Sequence, residues 1–81
     1  MENVSMDADD AQALRALGAA IRAIRKERGV SQEELSYLCK IDRSHMGRIE
    51  RGERNVAFMN IMRISRGLTC SPSEIFRRAG L

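Results

Sequence analysis

Two short helical segments follow each other closely in the middle of the chain, and their start signals constrain the fold more than any other feature. The stretch SQEE, which begins at Ser31, is a capping box. The Ser31 hydroxyl can accept a hydrogen bond from the third amide of the helix, while Glu34 reaches back to the Ser31 amide. The box predicts a helix over about 32–39. Asp42 is a second cap, so another helix is predicted over about 43–51, after a turn of only about three residues.

Apolar periodicity and further caps predict helices on both sides of this pair. Leucine and isoleucine recur at spacings of three and four in the first third of the chain. This pattern predicts a first helix over about 10–28, capped by Asp9 or Asp10. Asn55 can cap a fourth helix, which runs to Gly67.

A fifth helix is predicted at the end of the chain. Ser71 is a cap, and Pro72 occupies the first helical position, where the missing N–H of proline costs nothing. Residues 1–9 are polar and acidic and lack periodicity, so we expect a flexible lead-in. Since no strand pattern occurs, residues 10–81 are predicted to form one compact, all-α, five-helix domain.

The charge distribution favours a polyanionic partner. The formal net charge is +3, but residues 11–81 carry 14 bases against 7 acids, a net charge of +7. Such a basic body is compatible with nucleic acid. No apolar run approaches the roughly 20 residues of a membrane span. Cys39 and Cys70 lack CxxC spacing, which predicts reduced thiols in a cytoplasmic protein, and Cys39 is expected to be a core residue rather than a redox sensor.

The two closely spaced helices are typical of a helix-turn-helix, in which the first helix crosses the DNA backbone and the second enters the major groove. Arg43, Ser44 and Arg48 can share the outward face of the second helix, while Met46 and Ile49 point inward. Arginine can bond guanine O6 and N7 together. Alternatively, the arginines solvate a surface helix and pair with neighbouring glutamates. Two caps, a short turn and arginines at the start of the second helix favour a DNA-reading surface.

No catalytic or metal site is predicted. His45 is the only histidine, and no cysteines or carboxylates at ligand spacing accompany it. The serines lack triad partners beyond that histidine, and no glycine-rich loop offers a phosphate cradle. We therefore expect neither an enzyme nor a bound cofactor.

The run VSQEELSYLCKIDRSHMGRIERGERN, within residues 21–68, resembles the lambda-repressor-like helix-turn-helix family in its compact, single-domain Xre form. More narrowly, IDRSHMGRIERGERNVAFMNIMRIS resembles the controller proteins of bacterial restriction-modification systems. This resemblance implies a transcriptional regulator of the bacterial cytoplasm that binds a pseudo-palindromic operator in double-stranded DNA as a homodimer. Its action would follow from concentration and operator occupancy, without a membrane or a small-molecule effector.

The resemblance also implies roles for individual residues. A buried ion pair between the first and third helices would fall on Arg25 and Glu50. The groove-facing, base-reading residues would be Arg43, Ser44, His45, Arg48 and Arg54. The DNA backbone would be contacted by Ser31, Gln32, Arg51 and Asn55. Controller proteins often have Thr-Tyr where this chain has Ser44 and His45, so its base preference at that pair departs from theirs.

The fourth helix is apolar around more than one face, and its side chains could simply be core. One side can also remain exposed on a single small domain, which suggests a two-fold partner. The resemblance agrees, because controller proteins form homodimers through their last helices. The expected interface consists of Phe58, Met59, Asn60, Met62, Ile75 and Phe76.

Two other functions remain open. A phage-type repressor or an antitoxin regulator would use the same helix-turn-helix. A protein-interaction module would use it only as a scaffold and would show an acidic or apolar outer face on the third helix. Arg43 and Arg48 argue against that module.

Overall fold

A computed structural model describes residues 7–81, and within that range the chain forms five helices and no strand. In chain order the helices are α1 (Ala8–Glu27), α2 (Gln32–Cys39), α3 (Arg43–Glu50), α4 (Phe58–Gly67) and α5 (Pro72–Ala79). The predicted all-α, five-helix class is confirmed. Three of the helices, α2, α3 and α5, begin directly after the predicted caps Ser31, Asp42 and Ser71.

Helix α1 begins earlier than predicted, and its cap is Asp7 rather than Asp9 or Asp10. The Asp10 amide donates to Asp7 Oδ1 at 2.9 Å, and the Asp7 amide donates to Asp10 Oδ2 at 3.4 Å. This is a capping box closed by two aspartates. Ala8 and Asp9 are therefore helical rather than part of the predicted lead-in, and residues 1–6 lie outside the described range.

Helix α4 begins later than predicted, because Asn55 does not cap it. The residue before the helix is Ala57, which is extended and has no side-chain acceptor for a helical amide. The chain must pass from α3 to a position where α4 packs against α2 and α5. Residues 55–57 are not helical and form part of this passage, so they cannot supply the first turn of a helix that starts after Asn55. Tertiary packing here overrides a local capping signal.

The core lies where α1 packs against α3 and α5, and α2 packs against α3 and α4. Every helix contributes a fully buried side chain, which is why five short helices can share one core. Cys39 is only 2% exposed, which confirms its predicted place in the core, and burial raises the pKa of its thiol to about 11. The largest fully buried apolar side chains are Ile21, Ile24, Leu35, Met46, Ile49, Ile64, Leu68 and Ile75.

Two glycines let α1 approach the end of α3 closely. A Cβ atom at Gly18 would lie 2.3 Å from the Ile49 carbonyl oxygen, nearer than any side chain can come. Gly52, just beyond α3, has φ +74°, and a Cβ there would lie 2.6 Å from Arg15 Cα. Only glycine adopts this positive φ at little cost and also leaves room for the backbone of Arg15. The close contact fixes the register of α1 against α3, and with it the alignment of Arg25 and Glu50.

Across residues 7–81, no helix combines the length and apolar character needed to cross a membrane. The same part of the chain contains no group of histidine, cysteine or acidic side chains able to hold a metal ion.

Candidate nucleic-acid interface

The start of α3 is fixed by the Asp42 carboxylate. Asp42 Oδ2 accepts hydrogen bonds from the Ser44 amide at 3.1 Å, from the His45 amide at 3.4 Å and from the Ser44 hydroxyl at 2.6 Å. These contacts, led by the Ser44 hydroxyl, hold the pKa of the Asp42 carboxyl below its usual value. Because its hydroxyl hydrogen is engaged in the cap, Ser44 presents mainly an oxygen acceptor to a ligand.

The turn between α2 and α3 has a defined backbone conformation. Lys40 ends α2 in the left-handed conformation, with φ +57°, a backbone state that favours glycine over other residues. The next residue, Ile41, is buried, and its amide donates to the Ser36 carbonyl at 3.0 Å. The buried side chain of Ile41 holds the turn in place, and Arg43 and Ser44 in the first turn of α3 are exposed.

Helix α3 has one buried and one exposed face. Met46, Ile49 and Glu50 point into the protein, and His45 is half-buried at the boundary. The side chains that project outward from α3 and from the following loop are Arg43, Ser44, Arg48, Arg54 and Asn55. No hydrogen bond to another part of residues 7–81 holds the guanidinium groups of Arg43, Arg48 and Arg54. The exposed face therefore carries three cationic donors that remain available to an external acceptor.

Beneath that face lies the Arg25–Glu50 ion pair that the resemblance implies. Arg25 Nε donates to Glu50 Oε2 at 2.8 Å, and Arg25 Nη2 donates to Glu50 Oε1 at 3.0 Å. Arg25 is 8% exposed and Glu50 is 6% exposed. Arg25 Nη1 also donates to the Val30 carbonyl at 3.0 Å, so the pair connects α1, α3 and the loop before α2. Charged groups removed from water are tolerated when they are paired and hydrogen-bonded in this way.

Gln32 is attached to the same ion pair. Its amide Nε2 donates to Glu50 Oε1 at 3.0 Å, which orients the side chain at the start of α2. One N–H of that amide is used, and the second remains for another acceptor. The neighbouring Ser31 is exposed, and its hydroxyl oxygen accepts from the Glu34 amide at 3.0 Å. Both residues expected to contact the DNA backbone here are thus held by hydrogen bonds inside the domain.

Arg51 at the end of α3 is paired with an acid that the prediction did not include. Its Nε donates to Glu53 Oε2 at 3.0 Å, and its Nη2 donates to Glu53 Oε1 at 3.3 Å. Both side chains are more than half exposed. The hydrogen bond from Arg51 lowers the pKa of the Glu53 carboxyl and raises that of the Arg51 guanidinium. Arg51 Nη1 takes no part in this pair.

A cavity of about 550 Å³ opens between α1, α2 and α3, and it includes a residue absent from the predicted site. That residue is Arg22. It lies three positions before Arg25 on α1, so the two side chains leave neighbouring parts of one helix face. This spacing is the signal in the sequence that could have revealed it. The cavity is lined by Arg22, Gln32, Gly47, Glu50 and Arg51.

The expected dimer residues divide between exposed and buried positions. Phe58 is 69% exposed and Met59 is 48% exposed, while Asn60, Met62 and Phe76 are half-buried. Ile75 is fully buried in the core of its own chain, so its expected place in the interface is wrong. Successive side chains of a helix lie about 100° apart around its axis. Ile75 therefore faces the core of its own chain, while the next residue, Phe76, is only half-buried.

A capped pair of short helices, a fixed turn and an outward arginine face on the second helix define a helix-turn-helix DNA-binding regulator. The chain belongs to the helix-turn-helix family (HTH_3), which matches residues 21–75. Since this family consists of non-enzymatic transcription regulators, the expectation that the chain is not an enzyme is confirmed.

Control proteins of restriction-modification systems are among the similar proteins. The chain is 39% identical over 59 residues to control protein C.BamHI of Bacillus amyloliquefaciens, a match that spans 72% of this chain and 73% of the relative. The crystal structure of the restriction-modification controller protein C.AhdI of Aeromonas hydrophila superposes with a TM-score of 0.77 at 41% identity and covers 78% of this chain and 96% of the other.

A regulator of another kind shares the fold at lower identity. The clp gene regulator ClgR of Corynebacterium glutamicum superposes with a TM-score of 0.82 at 26% identity and covers 84% of this chain and 72% of the other. Its superposition is as good as that of C.AhdI. Backbone shape therefore does not separate the two kinds of regulator, whereas the sequence identity to C.AhdI and C.BamHI is higher than that to ClgR.

Proposed function

We propose that the chain is the controller protein of a restriction-modification system, acting in the bacterial cytoplasm as a homodimer on a pseudo-palindromic operator. The observation that carries this proposal is the identity of 39% to C.BamHI and 41% to C.AhdI over most of the chain. Both proteins are control proteins by name. ClgR shares the fold at only 26% identity, so the sequence of this chain is less similar to that regulator than to the two control proteins.

In this proposal the outward face of α3 reads base edges. Arg43 and Arg48 can each donate two hydrogen bonds to guanine O6 and N7. Ser44 offers its hydroxyl oxygen to a base amino group, and His45 lies beside it at the edge of the face. Arg54 follows just beyond α3, where it can reach a neighbouring base. The absence of internal partners for the three arginine guanidinium groups within residues 7–81 supports this assignment.

The DNA backbone is assigned to residues around the reading helix. Ser31 and Gln32 stand at the start of α2, and Arg51 and Asn55 follow α3. Phosphate contacts of this kind set the position of the protein on the duplex and make its affinity depend on salt. The hydrogen bond from Gln32 to Glu50 supports the assignment, because it fixes the orientation of the Gln32 amide before DNA arrives.

For the dimer we retain Phe58, Met59, Asn60, Met62 and Phe76. Two large apolar side chains exposed side by side at the start of α4 are costly in water, and a second copy of the chain would cover them. A two-fold axis through this face would place two α3 helices in successive major grooves, about 34 Å apart. Occupancy of one or more such operators would then set the regulatory outcome.

The division into reading and anchoring residues is tested with two variants. Arg43→Ala is expected to lose about 1–3 kcal/mol on the operator and to relax base choice, whereas Gln32→Ala weakens binding more evenly across sequences. Gel-shift titrations with the DNA upstream of the gene and with a random duplex measure both effects. Equal losses of both variants on both duplexes would refute the division.

An adjacent restriction endonuclease and methyltransferase gene pair is expected, and an adjacent toxin gene would instead indicate an antitoxin regulator.

The dimer is tested by Phe58→Arg, which places a charge in the proposed interface and is expected to give a monomer in sedimentation. Tyr37→Arg is the matched control, because Tyr37 is an aromatic residue that is 84% exposed and belongs to α2 rather than to the proposed interface. If Phe58→Arg sediments as a dimer like the control, the interface lies on another surface.

A further inference from the structure

We propose that the cavity between α1, α2 and α3 is a seat for one DNA phosphodiester, and that Arg22 binds that phosphate together with Arg51. The cavity has a volume of about 550 Å³, is open to solvent, and is lined by residues from α1, the start of α2 and the later part of α3. Arg22 belongs to neither the reading face nor the predicted backbone contacts. This inference rests on the proposed function, since it requires that the protein bind DNA.

The charge of the cavity wall favours an anion. Arg22 and Arg51 line the cavity from α1 and from the end of α3. Glu50 also lines it, but the two hydrogen bonds from Arg25 compensate the charge of that carboxylate. Within residues 7–81, no hydrogen bond or ion pair holds the Arg22 guanidinium. Its exposed charge is therefore available to a ligand at no cost in internal contacts.

The donors around the cavity have suitable chemistry and are partly fixed. Glu53 engages Nε and Nη2 of Arg51, which leaves Nη1 for another acceptor. Arg51 Nη1 lies on the cavity side, because a Cβ atom at Gly47 would be 3.2 Å from it and 3.5 Å from Gln32 Oε1. The absence of a side chain at Gly47 keeps open the space between these two groups. Arginine donors on two sides of an open space suit a tetrahedral phosphate, whose oxygens accept hydrogen bonds in several directions.

Two features favour a duplex phosphate over a free anion. The cavity lies beside Gln32 and Arg51, the residues assigned to the DNA backbone on either side of the reading helix. It is also open rather than enclosed, so its contacts with a lone phosphate would be screened by water. A duplex held by α3 would deliver a phosphate to the seat without a separate binding step.

The test compares Arg22→Ala with Arg66→Ala, which removes the same charge from an exposed position on α4, outside this cavity. Binding to the operator and to a random duplex is measured across a range of salt concentrations. One phosphate contact contributes about 0.9 to the slope of log K against log salt, which corresponds to about an eightfold loss of affinity at ~0.1 M salt. For each bound protomer, Arg22→Ala is expected to reduce the salt slope and to lower the affinity by these amounts on both duplexes. Arg66→Ala and the charge-preserving Arg22→Lys are expected to keep a salt slope near that of the unchanged protein.

A separate arm uses inorganic phosphate against chloride at equal ionic strength, with thermal unfolding as the readout. Equal slopes for Arg22→Ala and Arg66→Ala on DNA would overturn the phosphate seat while leaving the proposed function intact. If, in addition, inorganic phosphate stabilises the unchanged protein but not Arg22→Ala, the cavity is a site for a free anion instead. Failure of the unchanged protein to bind any duplex would overturn the proposed function, and the seat with it.

Discussion

Replacement of Glu50 by glutamine should destabilise the domain severely, because it removes a buried charge and leaves its partner in place. In the protein, the Glu50 carboxylate accepts two hydrogen bonds from Arg25 and one from Gln32. The Arg25 side chain is 10% exposed and that of Glu50 only 2%. Glutamine fills the same volume and can accept a hydrogen bond, so the variant chiefly tests the charge.

The expected loss can be set against the stability of the domain. Leaving one member of a buried pair uncompensated costs about 3–5 kcal/mol. A domain of this size unfolds with a free energy of roughly 4–12 kcal/mol, so Glu50→Gln removes a large part of it. At about 4–8 °C per kcal/mol for a small domain, the melting temperature should fall by at least about 12 °C. An exposed ion pair contributes only about 0–1 kcal/mol, so the exposed pairs within residues 7–81 are expected to have much smaller effects.

The assay is chemical and thermal unfolding followed by circular dichroism, at one protein concentration because self-association would contribute to stability. Glu53→Gln is the matched control, since it removes the same charge from an exposed pair with Arg51 and should change stability only slightly. The double variant Arg25→Met with Glu50→Leu should recover most of the loss, because no unpaired charge remains. If Glu50→Gln unfolds like Glu53→Gln, the burial argument is wrong.

Three further outcomes follow from local geometry. Gly18→Ala should destabilise the domain strongly, because its Cβ would meet backbone atoms of α3 at 2.3 and 2.5 Å; wild-type unfolding would refute the close contact. Gly47→Ala should raise the unfolding free energy by about 0.5–1 kcal/mol through helix propensity yet weaken DNA binding, because the methyl group displaces Arg51; unfolding and gel-shift measurements on one sample separate the two effects. The Asp42 carboxyl has a lowered pKa in the folded protein, so its contribution to folding stability is present above its unfolded pKa and is lost as the pH falls through the folded pKa. Asp42→Asn keeps a cap but does not titrate, so its melting temperature should fall less steeply with decreasing pH than that of the unchanged protein.

The sequence predicted α2 and α3 well, because their starts depend on contacts within three residues. The bond from the Glu34 amide to the Ser31 hydroxyl and those around Asp42 involve only neighbours in the chain. At α1 several aspartates compete as caps, and only the mutual Asp7 and Asp10 bonds decide among them. Local signals were therefore enough to predict where α2 and α3 begin, whereas competition among equivalent capping residues left the start of α1 undecided.

Tertiary packing decided the features that the sequence could not predict. A periodic pattern cannot tell whether Ile75 faces the core of its own chain or a partner, since both environments select an apolar residue. The cavity beside Arg22 arises only where three helices meet, so no single stretch of sequence describes it. In both cases the missing information was the position of one helix relative to another.

The arrangement of hydrogen bonds suggests how such a domain can change its operator without losing its fold. On the proposed anchoring side, Gln32 is fixed from within, because Glu50 accepts hydrogen bonds from both Gln32 and the buried Arg25. The proposed reading side includes Arg43 and Arg48, whose guanidinium groups are held by no hydrogen bond from another part of residues 7–81. Substitution on the reading face therefore disturbs few internal contacts and should change base choice at little cost in stability. Substitution of Glu50 loosens the core and the proposed phosphate contact together, so fold and DNA affinity are linked through that single carboxylate.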